Sequence, residues 1–479
     1  MRVDEYARQD ATALAALVRS GEVTPAELAA CAVAAADVVE PVLNALVGPL
    51  DVAAPWVPDR PFSGVPVLSK SGHARAGGPL GAGSRLLAGR TVAADDVFSA
   101  RIRATGVAFV GATTAPEFGL YAVTESRLHG ATRNPWDPSR SPGGSSGGSS
   151  AAVAAGVVPV APSGDGGGSI RTPAHCTGTF GLKPSRGRTP FEGNHFFNLS
   201  VNHVTTRSVR DSAAFLDATQ GEYPGARYLI APPSRPFVAE LDADPGRLRI
   251  GVATDLPGFT AADPSCAGAV HRTAALLADL GHDVVEASPV IAWAEFFDAF
   301  LRAWTHSLPW SIDRLGQLIG QPAEPGLLEE MTERYRRQGE RVTVSDLLDV
   351  DQVFRAASRA VDEYFASYDL WLTPTAVSPA PAVGAFDPSA TDESASEYTD
   401  RVLRDYSAFT PLLNVTGHPA ASVPAVHGAD GLPVGVQLVA RAAGDAELLR
   451  ACAQVEAASP WRHRTPPIWA GSPASRVAA

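Results

Sequence analysis

Two glycine–serine clusters separated by a small apolar run constrain this chain more than any other feature. Residues 141–188 read SPGGSSGGSSAAVAAGVVPVAPSGDGGGSIRTPAHCTGTFGLKPSRGR, with the clusters at 143–150 and 164–169. Glycine at that density lets a backbone take positive φ and approach a ligand closely. A serine set among glycines is a candidate nucleophile with unobstructed N–H groups around it. A solvated linker has similar glycine and serine content. The run between the clusters, however, is apolar and small-residued, which suits a buried segment. The second cluster then leads into Ile170, Arg171, Thr172 and Pro173, where Thr172 reads as an N-cap and Pro173 as the first helical residue.

One compositional bias points outside this stretch. Among 39 basic residues only Lys70 and Lys183 are lysine, and the rest are arginine. A guanidinium cannot be deprotonated in a protein, whereas a buried ammonium can be and then acts as a base. Lys70 follows the apolar segment Val65, Pro66, Val67 and Leu68 and is read as functional; Lys183 is read as structural.

The remaining composition excludes several classes. A net charge of −12 with no basic run argues against a nucleic-acid groove. No apolar stretch reaches the roughly 20 residues of a membrane span. The acidic, polar N-terminus is not a signal peptide. Cys31, Cys176, Cys266 and Cys452 lie far apart in no metal-ligand spacing, as expected for reduced thiols in a cytoplasmic protein. No metal or cofactor is expected.

Strand and helix patterns alternate along the chain, which predicts an α/β sheet covered on both faces. The opening segment, residues 1–60, is helical, with a break at Ser20 and Gly21 and a capping box at Thr24 and Glu27. A strand over 65–69 precedes Lys70, a helix over 95–105 precedes a strand over 107–110, and a helix over 151–156 leads to a strand over 157–161. A further unit has strands at 248–252 and 283–286 around a helix over 266–280. Residues 290–345 form a helical insert carrying Trp293, Phe296, Phe297, Phe300, Trp304 and Trp310, either core or the wall of a pocket. Residues 379–400 read as a surface loop. A turn at 414–419, strands at 421–426 and 434–439 and a helix over 445–456 close the chain.

The chemistry follows from the clusters. Ser169 follows three glycines whose N–H groups can converge on an oxyanion. Asp165 and Arg171 flank that loop with opposite charges and are expected to pair. A neutral Lys70 can serve as base through an intermediate hydroxyl, supplied by Ser145 or Ser146.

These residues resemble the amidase signature family: GGSSGGS, then GDGGGSIR and Pro173-Ala174, then GLKP. The resemblance extends to SGEVTPAEL at 20–28, GVPV at 64–67, GATTAPEF at 111–118, NVTGHPA at 414–420 and GLPVGVQL at 431–438, so it spans nearly the whole chain. It implies a single α/β/α domain over 1–479 with a mixed central sheet, the signature core at 61–245. It also implies a Ser–Ser–Lys triad: Ser169 as nucleophile, Ser145 as bridging serine after a cis peptide bond, and Lys70 as base. The oxyanion hole falls on the N–H groups of Gly166, Gly167, Gly168 and Ser169, with Ser146, Asp165 and Arg171 supporting. The implied activity is cleavage of a carboxylic amide in a small molecule, linear or cyclic, without a cofactor. The signature leans towards the branch containing hydrolases of cyclic oligoamides of 6-aminohexanoate. Ser71 stands where the family usually has Asp or Asn, which leaves the support of Lys70 open. Phe191, Glu192, Asn194, His195, Phe196 and Phe197 are candidate pocket residues, and a homodimer is a common state for such chains.

Other readings fit less of the sequence. Gly143 to Gly147 matches the G-x-S-x-G nucleophile elbow, with His418 or His427 as base, but that elbow needs a strand before the serine. Residues 132–142 hold three prolines and make none. A phosphate-binding loop lacks its motif, and Asp165 would repel the phosphate. An amidase-type subunit of a tRNA-dependent amidotransferase and a non-catalytic binding protein of the same fold would both keep the architecture.

Overall fold

The computed structural model describes residues 1–193, 197–324 and 326–472. Asn194, His195 and Phe196 lie outside the described residues. Ten strands carry the architecture: β1 (Pro66–Lys70), β2 (Ala108–Thr113), β3 (Val160–Asp165), β4 (Phe180–Lys183), β5 (Val201–Thr206), β6 (Arg249–Val252), β7 (Asp283–Glu286), β8 (Leu370–Pro374), β9 (Ala420–His427) and β10 (Pro433–Ala440). Eight form one sheet in the order β7-β6-β8-β10-β9-β4-β5-β3. The β7, β6 and β8 strands pair in parallel, and every later neighbour is antiparallel, so the sheet is mixed. The β1 and β2 strands pair in parallel beside β3.

Strand periodicity divides the core between the two faces of this sheet. On β8, Leu370 and Leu372 point into a cluster with Leu448, Leu449 and Val455, while Trp371 points to the opposite side with Phe296 and Phe354. Helices Pro264–Asp279 and Asp445–Ala458 cover the first face; Trp293–Thr305 and Val344–Phe365 cover the second. Both central strands, β8 and β10, are buried along their whole length, which explains their nearly uninterrupted apolar sequences.

The N-terminal helices form as their caps dictate. Helix Ala11–Ser20 stops at Gly21 in the left-handed region, and Pro25–Leu43 starts from the reciprocal Thr24–Glu27 capping box. Their apolar faces pack with β1, β2 and helix Gly147–Ala154. That last helix begins four residues ahead of the expected position, inside the first glycine–serine cluster, and β3 runs on to Asp165. Two expectations are corrected. Residues 379–400 are not simply a surface loop: Phe386 is buried, and a Ser394–Glu397 capping box starts helix Ala395–Val402, which buries Tyr398. The turn expected at 414–419 begins instead as helix Pro411–Thr416, closed by Gly417.

All four cysteines are free and buried. No described helix is long and apolar enough to cross a membrane.

Candidate active site

Strand β1 delivers Lys70 as its last residue, adjacent to the end of β3, so the two strand ends supply one site. Lys70 is 6% exposed, and its Nζ lies 2.8 Å from Ser145 Oγ and 2.9 Å from Ser146 Oγ. Burial pushes its ammonium down to about 7, against the upward pull of the Asp165 carboxylate. A neutral amine is therefore accessible there near neutral pH.

The two serines are presented by the first cluster. The Gly144–Ser145 peptide is cis. Ser146 occupies the N-cap position of helix Gly147–Ala154. Its Oγ donates to the Gly164 carbonyl at 3.2 Å, and its N–H donates to the Ser169 carbonyl at 3.3 Å. The two glycine–serine clusters are thus bonded to each other directly.

Asp165, the last residue of β3, organises the second cluster. Its Oδ1 accepts from the Gly168 N–H at 2.7 Å, and its Oδ2 from the Ile170 N–H at 3.2 Å. Both oxygens pair with Arg171, through Nε at 2.9 Å and Nη2 at 2.9 Å. Burial alone would raise the Asp165 carboxyl, but Arg171 and Asn414 outweigh it and hold it well below the usual carboxylate range. Helix Arg171–Thr177 consequently has Ile170 rather than the expected Thr172 at its N-cap position, because Asp165 already accepts from the N–H groups of Ile170 and Arg171.

Arg171 is fully buried, and each of its five donors has an acceptor. Besides Asp165, these are Thr410 O at 3.0 Å, Gln437 Oε1 at 2.7 Å and Asn414 Oδ1 at 2.6 Å. Asn414 Nδ2 returns to the loop, donating to the Asp165 carbonyl and carboxylate and to Leu199 O. The sequence assigned no role to Thr410, Asn414 or Gln437; the NVTGHPA and GLPVGVQL segments carry Asn414 and Gln437, and Thr410 lies outside both.

Residues 166–169 form the turn between β3 and helix Arg171–Thr177. Among the described residues the N–H groups of Gly166, Gly167 and Ser169 have no acceptor within the chain. Gly168 differs from expectation: its N–H is engaged by Asp165 and is not free to hold an oxyanion. Its φ of +130° and the contact a Cβ would make with Thr410 require glycine there. At Gly166 a Cβ would come within 2.7 Å of Ser200 Oγ and 3.3 Å of the Trp304 ring.

Lys70, Ser145, Gly166 and Ser169 line one cavity of about 470 Å³. A second cavity of about 70 Å³, walled by Phe300, Tyr335 and Tyr398, meets Ser169 from another side. The aromatic insert therefore divides its work: Trp293, Phe296 and Phe297 are core, Phe300 and Trp304 reach the cavities, and Trp310 is exposed. Phe191, Glu192 and Phe197 line the larger cavity. So do Ser71 and His73, whose Oγ and Nδ1 have no partner among the described residues. Lys183 is buried away from this cavity, with Nζ donating to Pro184 O at 3.0 Å. The chain approaching Ser145 is irregular, and neither His418 nor His427 lines the cavity, so the nucleophile-elbow geometry is missing among the described residues.

Comparison with known proteins places this arrangement. The profile of the Amidase family matches residues 49–449. The chain is 36% identical over 476 residues to a 6-aminohexanoate-cyclic-dimer hydrolase from Pseudomonas sp. (strain NK87), covering 96% of this chain and 97% of that protein. It superposes on the structure of 6-aminohexanoate cyclic dimer hydrolase complexed with substrate with a TM-score of 0.89 and 34% identity, covering 96% and 99% of the two chains. A bacterial aryl acylamidase of the amidase signature family superposes with a TM-score of 0.84 at 25% identity, covering 97% and 99%. The chain belongs to the amidase signature family and is a hydrolase of carbon–nitrogen bonds.

Proposed function

We propose that this amidohydrolase cleaves small carboxylic amides through an acyl-enzyme on Ser169, with Ser145 and Lys70 as its proton relay. The observation that carries the reading is the Lys70–Ser145 contact of 2.8 Å, made by a lysine pushed down to about 7, in the wall that also holds Ser169. Neutral Lys70 takes the Ser145 proton as Ser145 takes that of Ser169. The Ser169 Oγ–carbon bond forms, and the carbonyl oxygen becomes an oxyanion. The N–H groups of Gly166, Gly167 and Ser169 receive that charge. The relay returns its proton to the departing nitrogen as the C–N bond breaks. Water then attacks the ester, activated by the same relay, and frees the acid and Ser169.

Ser146 and the Asp165–Arg171 pair act on position rather than on the reacting atoms: Ser146 bonds both Lys70 and Gly164, and Asp165 fixes the turn. A cavity of about 470 Å³ suits a small linear or cyclic amide, in keeping with the cyclic amide acted on by the Pseudomonas relative. Comparing hydrolysis of linear and cyclic amides by wild type, Ser169→Ala and Ser145→Ala tests the reading. Turnover lost in both variants supports it; turnover retained by Ser169→Ala removes Ser169 as nucleophile.

A further inference from the structure

The larger cavity has an uneven charge inventory. Its charged lining comprises Lys70, Asp96, Asp165 and Glu192, with a His73 that burial pushes down to about 4 and so keeps neutral. Lys70 is committed to Ser145 and Ser146, and Asp165 is neutralised by Arg171. That leaves two carboxylates, Asp96 and Glu192, and no arginine among the described lining residues, in a chain whose basic residues are almost all arginine.

Both carboxylates belong to the same wall. Asp96 caps helix Val97–Ala104, with Oδ1 accepting from the Ser99 N–H at 2.6 Å and Oδ2 from the Ala74 N–H at 3.0 Å. Glu192 Oε2 accepts from the Val97 N–H at 2.7 Å. A helix N-terminus offsets only about half a unit charge, so two carboxylates leave this wall clearly negative. Ser71, 3% exposed, and His73 line the same cavity with Oγ and Nδ1 unpartnered among the described residues. The cavity is therefore rich in acceptors around this negative wall, and a primary ammonium brings three donors and the matching charge.

We infer that this wall is a recognition subsite for a primary ammonium group carried by the substrate at a distance from the scissile amide. The inference rests on the amidohydrolase reading for the location of the scissile bond, and it extends that reading to the substrate's far end. A free carboxylate at the same place is disfavoured by Asp96 and Glu192, so the subsite separates amino-terminated from carboxyl-terminated amides of equal length.

Three matched series of primary amides test this: n-alkanamides, ω-ammonioalkanamides and ω-carboxyalkanamides of increasing acyl length. Binding is read by calorimetry on Ser169→Ala, which needs no turnover, and kcat/KM is read on wild type. At the best-fitting length the ammonium series should bind about fivefold more tightly than the neutral one, the range of a partly exposed ion pair, with the carboxylate series weakest. Asp96→Asn combined with Glu192→Gln keeps the cap and the acceptor for Val97 while removing both charges. The ammonium preference should then fall to about one, as it should in high salt. Equal binding of the first two series, stronger binding of carboxylates, or a preference that survives the paired substitution would overturn the subsite. Selective ammonium binding by Ser169→Ala with no amide cleaved by wild type would support the subsite and refute the hydrolytic reading separately.

Discussion

Asn414 Nδ2 donates to the Asp165 carboxylate at 2.8 Å and to the Asp165 carbonyl at 2.9 Å, across 249 residues of sequence. Its Oδ1 accepts from Arg171, so one amide holds both members of the buried ion pair beneath the Ser169 turn. Asn414→Ala leaves those groups partly unsatisfied, which costs about 1–3 kcal/mol of stability. The turn also loses its anchor. Displacements of about 1 Å at a reacting group cost up to ~10²-fold in rate, so kcat should fall ten- to a hundredfold with KM changed much less. Steady-state kinetics beside urea unfolding separate the two effects, and an unchanged kcat in the folded variant would contradict this role.

Lys70 sets the pH dependence. Its working form is the neutral amine, and burial places its transition at about 7. Below that value kcat/KM should fall about tenfold per pH unit as the amine protonates; above it the rate should level. Lys70→Arg keeps a cation but supplies no lone pair near neutrality, so activity should drop by about 10²–10⁴. A rate that is flat from acid to neutral pH would count against Lys70 as base.

Asp165→Asn leaves the Arg171 charge buried without its partner. Breaking such a pair from one side costs about 3–5 kcal/mol, visible as a lowered denaturation midpoint. The sign with pH follows from the depressed carboxyl. Its contribution is fully present above the ordinary aspartate value of 3.8 and is lost only as pH falls below that, towards the folded-state value. Wild type should therefore lose this increment on acidification below 3.8, and Asp165→Asn should show none of it.

Gly168→Ala places a Cβ against Thr410 at a φ of +130°. Backbone strain of this kind costs about 1–3 kcal/mol, and relief requires the turn to move. Loss of amidase activity in a folded protein with a lowered Tm is the expected result, read by kinetics and thermal unfolding.

Much of this was legible because its signals are local. Lys70 stood out as one of two lysines, and the Asp165–Arg171 pairing was readable from charges six residues apart on a glycine turn. The strands flanking the site followed from short apolar runs. What stayed hidden depends on convergence. The outer partners of Arg171 lie 239, 243 and 266 residues away, and no local pattern shows where those side chains meet. Gly168 has no side chain to reveal that its N–H turns back to Asp165. Thr172 carried a good N-cap signal, but a carboxylate seven residues upstream, Asp165, had taken that task.

Ser169 as nucleophile is tested most directly by intact-protein mass after treatment with a fluorophosphonate, on wild type, Ser169→Ala, Ser145→Ala and Lys70→Ala. One covalent adduct is expected on wild type and none on Ser169→Ala or Lys70→Ala. An adduct that survives Ser169→Ala but is lost in Ser145→Ala would contradict it by naming the other serine as nucleophile.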